Sequence, residues 1–564
     1  MITAGRQIAN CLAVNGVDRV YCVPGESYLP ILDALYDSVI DTVVTHHESC
    51  AGFMALADSR ITGRVGAAFV SRGPGATNAS IAVHAADQDG VPFLLFVGQV
   101  PRRNLGRHAF QEIDYGKMFG GIAKWVFEIT DSARIPEIMA RAIQIATAPT
   151  PGAVVIVVPE DTQEELVPDM VLHPAQRVAS AVNAQTVTDA AALLRKAKKP
   201  LLIAGGELCT DEGRAALAAL AESWQIPVAA SFRRHDVFDG SSRLFVGDLG
   251  IQSTPRQIAA VRESDVVLAV GTRLGDLTTL GYTFPESPFP RRRLIHVLAD
   301  TKALCVHFRP DVAAGCDAAA FLRALAVADP CVAAERDVWI DRLRAERLCA
   351  TEWRTQSAAP DGVVFGDVVE AVIPLLARDA IVTLDAGLSA AMFYLQFPLR
   401  APQKLVASIT GVMGMGVPAA VSIAMRCPGR QVVCAVGDGS FLMTGNALAL
   451  AVERRLPVRI VLANNRSYGS IRREQEHAYP ARVVGTDLAV PEFAAMAEAF
   501  GARGFVIDRD ADIAPVLDAA FAASGPALVE VKASLSAVLP KRADARSRTG
   551  AVVAQSGTSH VNIA

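Results

Sequence analysis

The sequence predicts an α/β protein of three domains. Short apolar runs rich in β-branched residues alternate with helical patterns along almost the whole chain, the pattern of parallel sheets covered by helices. Glycine turns follow several runs directly, among them Gly73-Pro74-Gly75, Gly205-Gly206 and Gly437-Asp438-Gly439. At 564 residues, 51% apolar and 20% charged, the chain has material for about three cores of ordinary size. Domains are expected over 1–165, 185–345 and 360–535, with a polar tail over 536–564.

Composition excludes several classes. A formal net charge of −4 gives no footprint for nucleic acid or an anionic membrane surface. The ten cysteines are scattered, without a CxxC or a Cys/His cluster. Reduced thiols in a cytoplasmic protein are therefore expected, not a disulfide framework or a zinc site. The first residues, MITAGRQIANCLAVNGVDRVY, form an amphipathic helical pattern leading into a strand and lack a signal-peptide core. No apolar run is long enough to span a bilayer.

In the first domain, strands are expected at 20–23, 41–45, 67–70, 93–97 and 153–158, and a helix at 49–61. Glu48 stands just before that helix, where a carboxylate complements the helix dipole. The proline-bearing segment 167–185 reads as a linker. The middle domain offers strands at 200–204, 228–231, 266–270 and 294–298, with Arg233 and His235 in the loop after the second. Those two face either an active site or solvent. The third domain offers strands at 380–384, 405–409, 432–436, 458–463 and 527–531, a layout like that of the first. A helix is expected over 441–454. The polar tail is expected to be mobile or to act as a lid.

One stretch carries the chemistry. Strand 432–436 runs into Gly437-Asp438-Gly439-Ser440, and strand 458–463 ends in Asn464-Asn465. Glycines admit phosphate close to the backbone, and a helix start offers free N–H groups. A hard cation such as Mg²⁺ takes oxygen ligands and shares substrate phosphates. Asp438 offers a carboxylate and Asn465 an amide oxygen, 465 − 438 = 27 positions apart, the length of a helix and a returning strand.

GDG followed by NN at this spacing resembles the fingerprint of thiamine diphosphate-dependent enzymes. The resemblance extends over about residues 1–535 and is to the acetolactate synthase group, large catalytic subunit type. It rests also on the stretch from HHESCAGF to VGQVP, on FQE at 110–112, and on ITGVMGMGVPAA at 409–420, which is similar to the family's GLGTMGFGLPAA. It implies two thiamine-diphosphate-binding parallel-sheet domains flanking a Rossmann-like central domain that holds FAD, ADP or nothing. By the same resemblance Asp438, Asn465 and the Ser467 carbonyl bind Mg²⁺, and Gly437, Gly439 and Ser440 lie at the diphosphate. Gly411 holds the aminopyrimidine through its carbonyl and Met413 wedges between the cofactor rings. Glu48 is the catalytic carboxylate that activates the cofactor, and Gln111 lies near the reacting carbons. Ser389 is a further diphosphate contact, although the family commonly has Gln-His there.

Three departures bear on substrate. Arg72 precedes GPGATN where the family has a small residue, and reads as a substrate-anion contact or a surface residue. Glu26 replaces the second Gly of the family's PGG, and reads as a second acid/base group or a solvated loop carboxylate. Glu474, between Arg473 and Gln475, takes the position of a tryptophan that walls the family's acceptor pocket; the other reading is a surface ion-pair cluster of Arg472, Arg473 and Glu474. The expected activity is decarboxylation of a 2-oxo acid with carboligation of the acyl fragment. Alternatives are a simple 2-oxo acid decarboxylase, a thiamine-dependent C–C lyase, including the 2-hydroxyacyl-CoA type, or a cofactor-binding protein without turnover. A homodimer or homotetramer is implied, with active sites between subunits.

Overall fold

The computed structural model describes residues 1–176, 178, 180–353 and 359–537. Its core is three parallel six-stranded sheets. The first comprises β1 (Arg19–Cys22), β2 (Asp41–Val44), β3 (Gly66–Val70), β4 (Phe93–Gln99), β5 (Trp125–Glu128) and β6 (Ala153–Pro159), in the order β2-β1-β3-β4-β6-β5. The second comprises β7 (Pro200–Ala204), β8 (Val228–Ser231), β9 (Phe245–Leu249), β10 (Val266–Val270), β11 (Arg293–Val297) and β12 (Val312–Ala314), in the order β9-β8-β7-β10-β11-β12. The third comprises β13 (Ile381–Leu384), β14 (Lys404–Ala407), β15 (Val432–Gly437), β16 (Val458–Asn464), β17 (Arg503–Ile507) and β18 (Ala527–Lys532), in the order β14-β13-β15-β16-β18-β17.

The first and third sheets share one order of strands, each counted from its own first. The likeness of layout seen in the sequence is therefore a likeness of topology. The central sheet has the doubly wound order in which the chain reverses direction between its first and fourth strands, here β7 and β10. Central strands such as Ala153–Pro159 and Val458–Asn464 are buried along their whole length, which is why the first reads as a continuous apolar run and the second as one broken only by Arg459 before its terminal Asn464.

Sequence reading missed the strands that are half exposed or lie at sheet margins. Trp125–Glu128 is only partly buried throughout, Arg503–Ile507 exposes Arg503 and Val506, and Val312–Ala314 exposes its middle residue. The helix expected over 441–454 is instead α-helix Asp438–Thr444, a 3₁₀ turn at Gly445–Ala447 and a second helix, Leu448–Glu453. Of the expected linker, Val167 pairs in a short antiparallel strand with Ile2, and a helix has already begun at Ala184. Of the tail, 538–564 lies outside the described residues.

Helices α1 (Glu48–Thr62) and α2 (Pro74–Asp89) of the first domain pack with α4 (Gly416–Arg426) of the third in one apolar core. Helix α3 (Leu388–Gln396) precedes α4, and α5 (Asp438–Thr444) and α6 (Gly469–Ala478) follow it. Polar contacts lock α1 to α4. Ser422 Oγ donates to the Met54 carbonyl at 2.8 Å, and Arg426 grips both oxygens of Asp58 at 2.6 and 2.7 Å. A bidentate pair of this kind adds geometric specificity to the apolar contact. No helix among the described residues is long and apolar enough to cross a membrane.

Candidate active site

The candidate residues fall into two groups at the carboxyl ends of strands, where open α/β sheets bind ligands. In the third domain, Asp438 opens α5 directly after β15. Its Oδ1 accepts the Gly439 N–H at 2.7 Å, while Oδ2 is buried with no partner. Burial pushes the carboxyl above its ordinary value, and the backbone N–H groups of Gly439, Arg466, Ser467 and Asn465 pull it back. The loop after β16 thus closes over Asp438. Asn465 turns its Oδ1 to the Ser467 N–H at 3.1 Å, Ser467 Oγ donates to the Thr486 carbonyl at 2.9 Å, and the Ser467 carbonyl accepts the Gly469 N–H at 2.7 Å. A Cβ on Gly439 would stand 2.6 Å from the Tyr468 ring, so only glycine fits there. Ser389 Oγ lies 3.6 Å from where a Cβ on Gly437 would stand.

Sequence reading missed the residue that organises this group. Asp385, buried just after β13, accepts the N–H of Gly414 (3.0 and 3.1 Å), Gly416 (2.7 Å) and Ala386 (2.8 Å). Burial raises its carboxyl and these donors oppose the rise. One carboxylate therefore fixes the end of the loop carrying Gly411 and Met413 where it runs into α4. Gly411 has φ 71°, with open space where a side chain would be. Met413 is half-buried beside it. The same loop is held from the first domain by Asp89, whose Oδ1 accepts the Ile409 and Thr410 N–H groups and the Ser408 and Thr410 hydroxyls at 2.9–3.2 Å. Arg233 is no solvated loop residue. It is buried and donates to the carbonyls of Ser408 and Asp385. His235 is buried too, stacked on Tyr394 at 5.2 Å with its Nε2 3.2 Å from Asp248 Oδ1.

In the first domain, Glu48 is the first residue of α1, which His47 caps by accepting the Ser49 N–H. Glu48 Oε2 accepts from Asn78 at 2.9 Å, and Oε1 lies 3.4 Å from where a Cβ on Gly75 would stand. Gly73, two residues earlier, backs onto Gln111, itself at φ 63°. Arg72 is buried at 7% exposure and forms ion pairs with Glu26 at 2.9 Å and with Glu160. Among the described residues no hydrogen bond or ion pair joins Glu48 to Asp438, Asn465 or Ser467. In the chain as described, Arg473–Glu474 and Arg472–Glu476 are exposed surface ion pairs, the second reading of that segment.

The chemistry of the donor set fits a metal-bridged diphosphate. No group of three or more His, Cys, Asp or Glu among the described residues could hold a metal by itself. One carboxylate with an orphaned oxygen, completed by amide and carbonyl oxygens and by phosphate, suits Mg²⁺. The strand crossover of the central domain, between β7 and β10, carries a carboxylate of its own. There Glu207 packs on Gly271 after β10 and its carboxylate accepts the Ala299 N–H after β11, at 3.2 and 3.3 Å. Burial raises that carboxyl to about 7.

Comparison with known families agrees with this geometry. The chain belongs to the thiamine pyrophosphate enzyme family. The family's N-terminal TPP binding domain matches residues 2–118, its central domain 187–325 and its C-terminal TPP binding domain 385–531. The chain is similar to an acetolactate synthase large subunit of Parasynechococcus marenigrum, 32% identical over 94% of this chain and 87% of that one. It is 31% identical to the acetolactate synthase isozyme 1 large subunit of Escherichia coli, over 94% of each. It is 30% identical to a probable acetolactate synthase large subunit of Methanocaldococcus jannaschii, over 94% of this chain and 92% of that one. It is a thiamine diphosphate-dependent enzyme.

Proposed function

We propose that this enzyme decarboxylates a 2-oxo acid and ligates the remaining acyl fragment to a carbonyl acceptor, with thiamine diphosphate and Mg²⁺ as cofactors. The observation that carries the reading is the buried, unpartnered Oδ2 of Asp438 at a helix start, under the loop that bears Asn465. Asp438, the Asn465 amide oxygen and the Ser467 carbonyl would hold the cation. Gly437, Gly439 and Ser440, with Ser389, would line the diphosphate. Gly411 and Met413 would hold the aminopyrimidine end. The bound cofactor supplies an electron sink for the pair left when CO₂ departs. Glu48, oriented by Asn78, exchanges the proton that activates that sink. Gln111, which backs onto Gly73, would orient the substrate.

Two observations support an active site shared between two copies of the chain. Glu48 and Asp438 are not bonded within one chain, and Leu442 and Met443 on α5, next to Asp438, are 43% and 47% exposed. The ten free cysteines suit a reducing cytoplasm. The test is a panel of 2-oxo acids incubated with the enzyme, thiamine diphosphate and Mg²⁺. CO₂ release with a ligated product is expected. An aldehyde product alone would make it a decarboxylase, and no CO₂ from any member would overturn the reading.

A further inference from the structure

Glu26, Glu48, Arg72 and Glu160 follow β1, β2, β3 and β6 at the carboxyl edge of the first sheet. Arg72 is the hub of three of them. Its Nη2 donates to Glu26 Oε1 at 2.9 Å and its Nη1 to Glu160 Oε1. Its backbone N–H reaches Ser27 Oγ at 3.3 Å, and the Phe110 ring lies 6.0 Å from its guanidinium. One cation between two carboxylates leaves a net negative charge. The buried cation clamps an exposed anion, for the Glu26 side chain is 71% exposed. Among the described residues Glu26 Oε2 takes no hydrogen bond. The turn at 72–75 that carries Arg72 also touches Gln111 through Gly73 and Glu48 through Gly75, so Glu26 belongs to the same edge as the proposed catalytic carboxylate.

We propose that Glu26, held in place by Arg72, selects the acceptor, favouring a neutral hydroxyaldehyde or hydroxyketone over a second 2-oxo acid. This rests on the reading above that a 2-oxo acid is the donor. A 2-oxo acid acceptor carries its own carboxylate. It meets a net negative cluster whose guanidinium already faces two carboxylates, and like charges repel over this range. A hydroxyl group instead donates to the free oxygen of Glu26, a charge-assisted hydrogen bond. The exposed ring of Phe110 gives the carbon chain an apolar contact. The ligation balances without a further reagent. The donor loses CO₂, a C–C bond forms from its former carbonyl carbon to the acceptor's carbonyl carbon, and the acceptor oxygen takes the C=O π pair and a proton. Arg72 is thus a positioning residue, and Glu26 a specificity-determining one.

The test uses the full chain with thiamine diphosphate and Mg²⁺ and the 2-oxo acid that releases CO₂ fastest. Glyceraldehyde, hydroxyl-free propanal and the donor itself compete as acceptors. Products are counted per CO₂ released, so a slower variant does not mimic a less selective one. The wild type is expected to favour glyceraldehyde over both rivals by about tenfold or more, the scale of one charged hydrogen bond. Glu26→Ala, which also frees an Arg72 N–H for a carboxylate, is expected to shift the ratio of self-ligation to glyceraldehyde product upward by about tenfold. Glu26→Gln, which keeps a hydrogen-bonding side chain, should shift it less. Equal ratios in wild type and Glu26→Ala overturn the proposal while the donor reading stands. Absence of CO₂ from every 2-oxo acid removes the donor reading, and the proposal with it.

Discussion

Asp438 concentrates the argument at the scale of the residue. A carboxylate at 3% exposure with one orphaned oxygen is expensive unless something positive completes it. Alanine there removes the charged ligand but leaves the backbone N–H groups of Gly439 and the 465–467 loop in place. Asp438→Ala is therefore expected to fold and to lose Mg²⁺-dependent thiamine diphosphate binding by about two orders of magnitude, on the scale of a lost metal ligand. Titration calorimetry with and without Mg²⁺ checks this, and unchanged affinity would sink the metal assignment. Asp438 stood out in the sequence because Asn465 follows it after a helical stretch and a returning strand. Asp385 and Asp89 did not. Asp385 works on Gly414 and Gly416, and Asp89 on Ser408–Thr410 from another domain. A carboxylate bonded to distant backbone N–H groups leaves no local pattern, and the only clue was that Asp385 stands at a strand's carboxyl end.

Whole strands and helices were legible where burial is uniform. The central strands of all three sheets are buried end to end and mostly apolar, Arg459 and Asn464 excepted, so their runs stand out. Half-exposed strands such as Trp125–Glu128 mix polarity and do not. The central domain adds an element-level consequence. Glu207 sits between the ends of β7, β10 and β11, and its carboxyl is raised from 4.5 to about 7, chiefly by burial. Between those values the folded chain holds the proton more tightly than the unfolded chain. This group's contribution to stability therefore declines as pH rises through the window and reaches its lowest level above pH 7. Glu207→Gln keeps an acceptor for the Ala299 N–H but cannot ionise. Its stability relative to wild type should be greater at about pH 8 than at about pH 5, by roughly 2–3 kcal/mol at most. Urea unfolding at the two pH values measures the difference, and parallel behaviour of the two proteins would show that Glu207 does not titrate in the window.

The whole molecule poses the question of how Glu48 and Asp438 reach one cofactor. Within the chain the first and third domains are fastened through α1 and α4, by Ser422, Arg426 and the core they share. That contact leaves Glu48 bonded to Asn78 and Asp438 facing its own loop, with apolar Leu442 and Met443 exposed on the helix that Asp438 opens. A two-fold pairing of chains would bring the first domain of each onto the third domain of the other and cover those side chains. Two inactive variants decide the matter. Glu48→Gln lacks the proposed proton-exchanging carboxylate, and Asp438→Ala lacks the proposed cation ligand. If each site draws Glu48 from one chain and Asp438 from its partner, a mixed dimer of the two variants contains one intact site and one doubly defective site. Refolding or co-expressing equal amounts should then restore about a quarter of wild-type CO₂ release, since about half the dimers are mixed and half their sites are whole. If both residues serve a site within one chain, no mixture contains an intact site, and activity stays at the level of the single variants whatever the ratio.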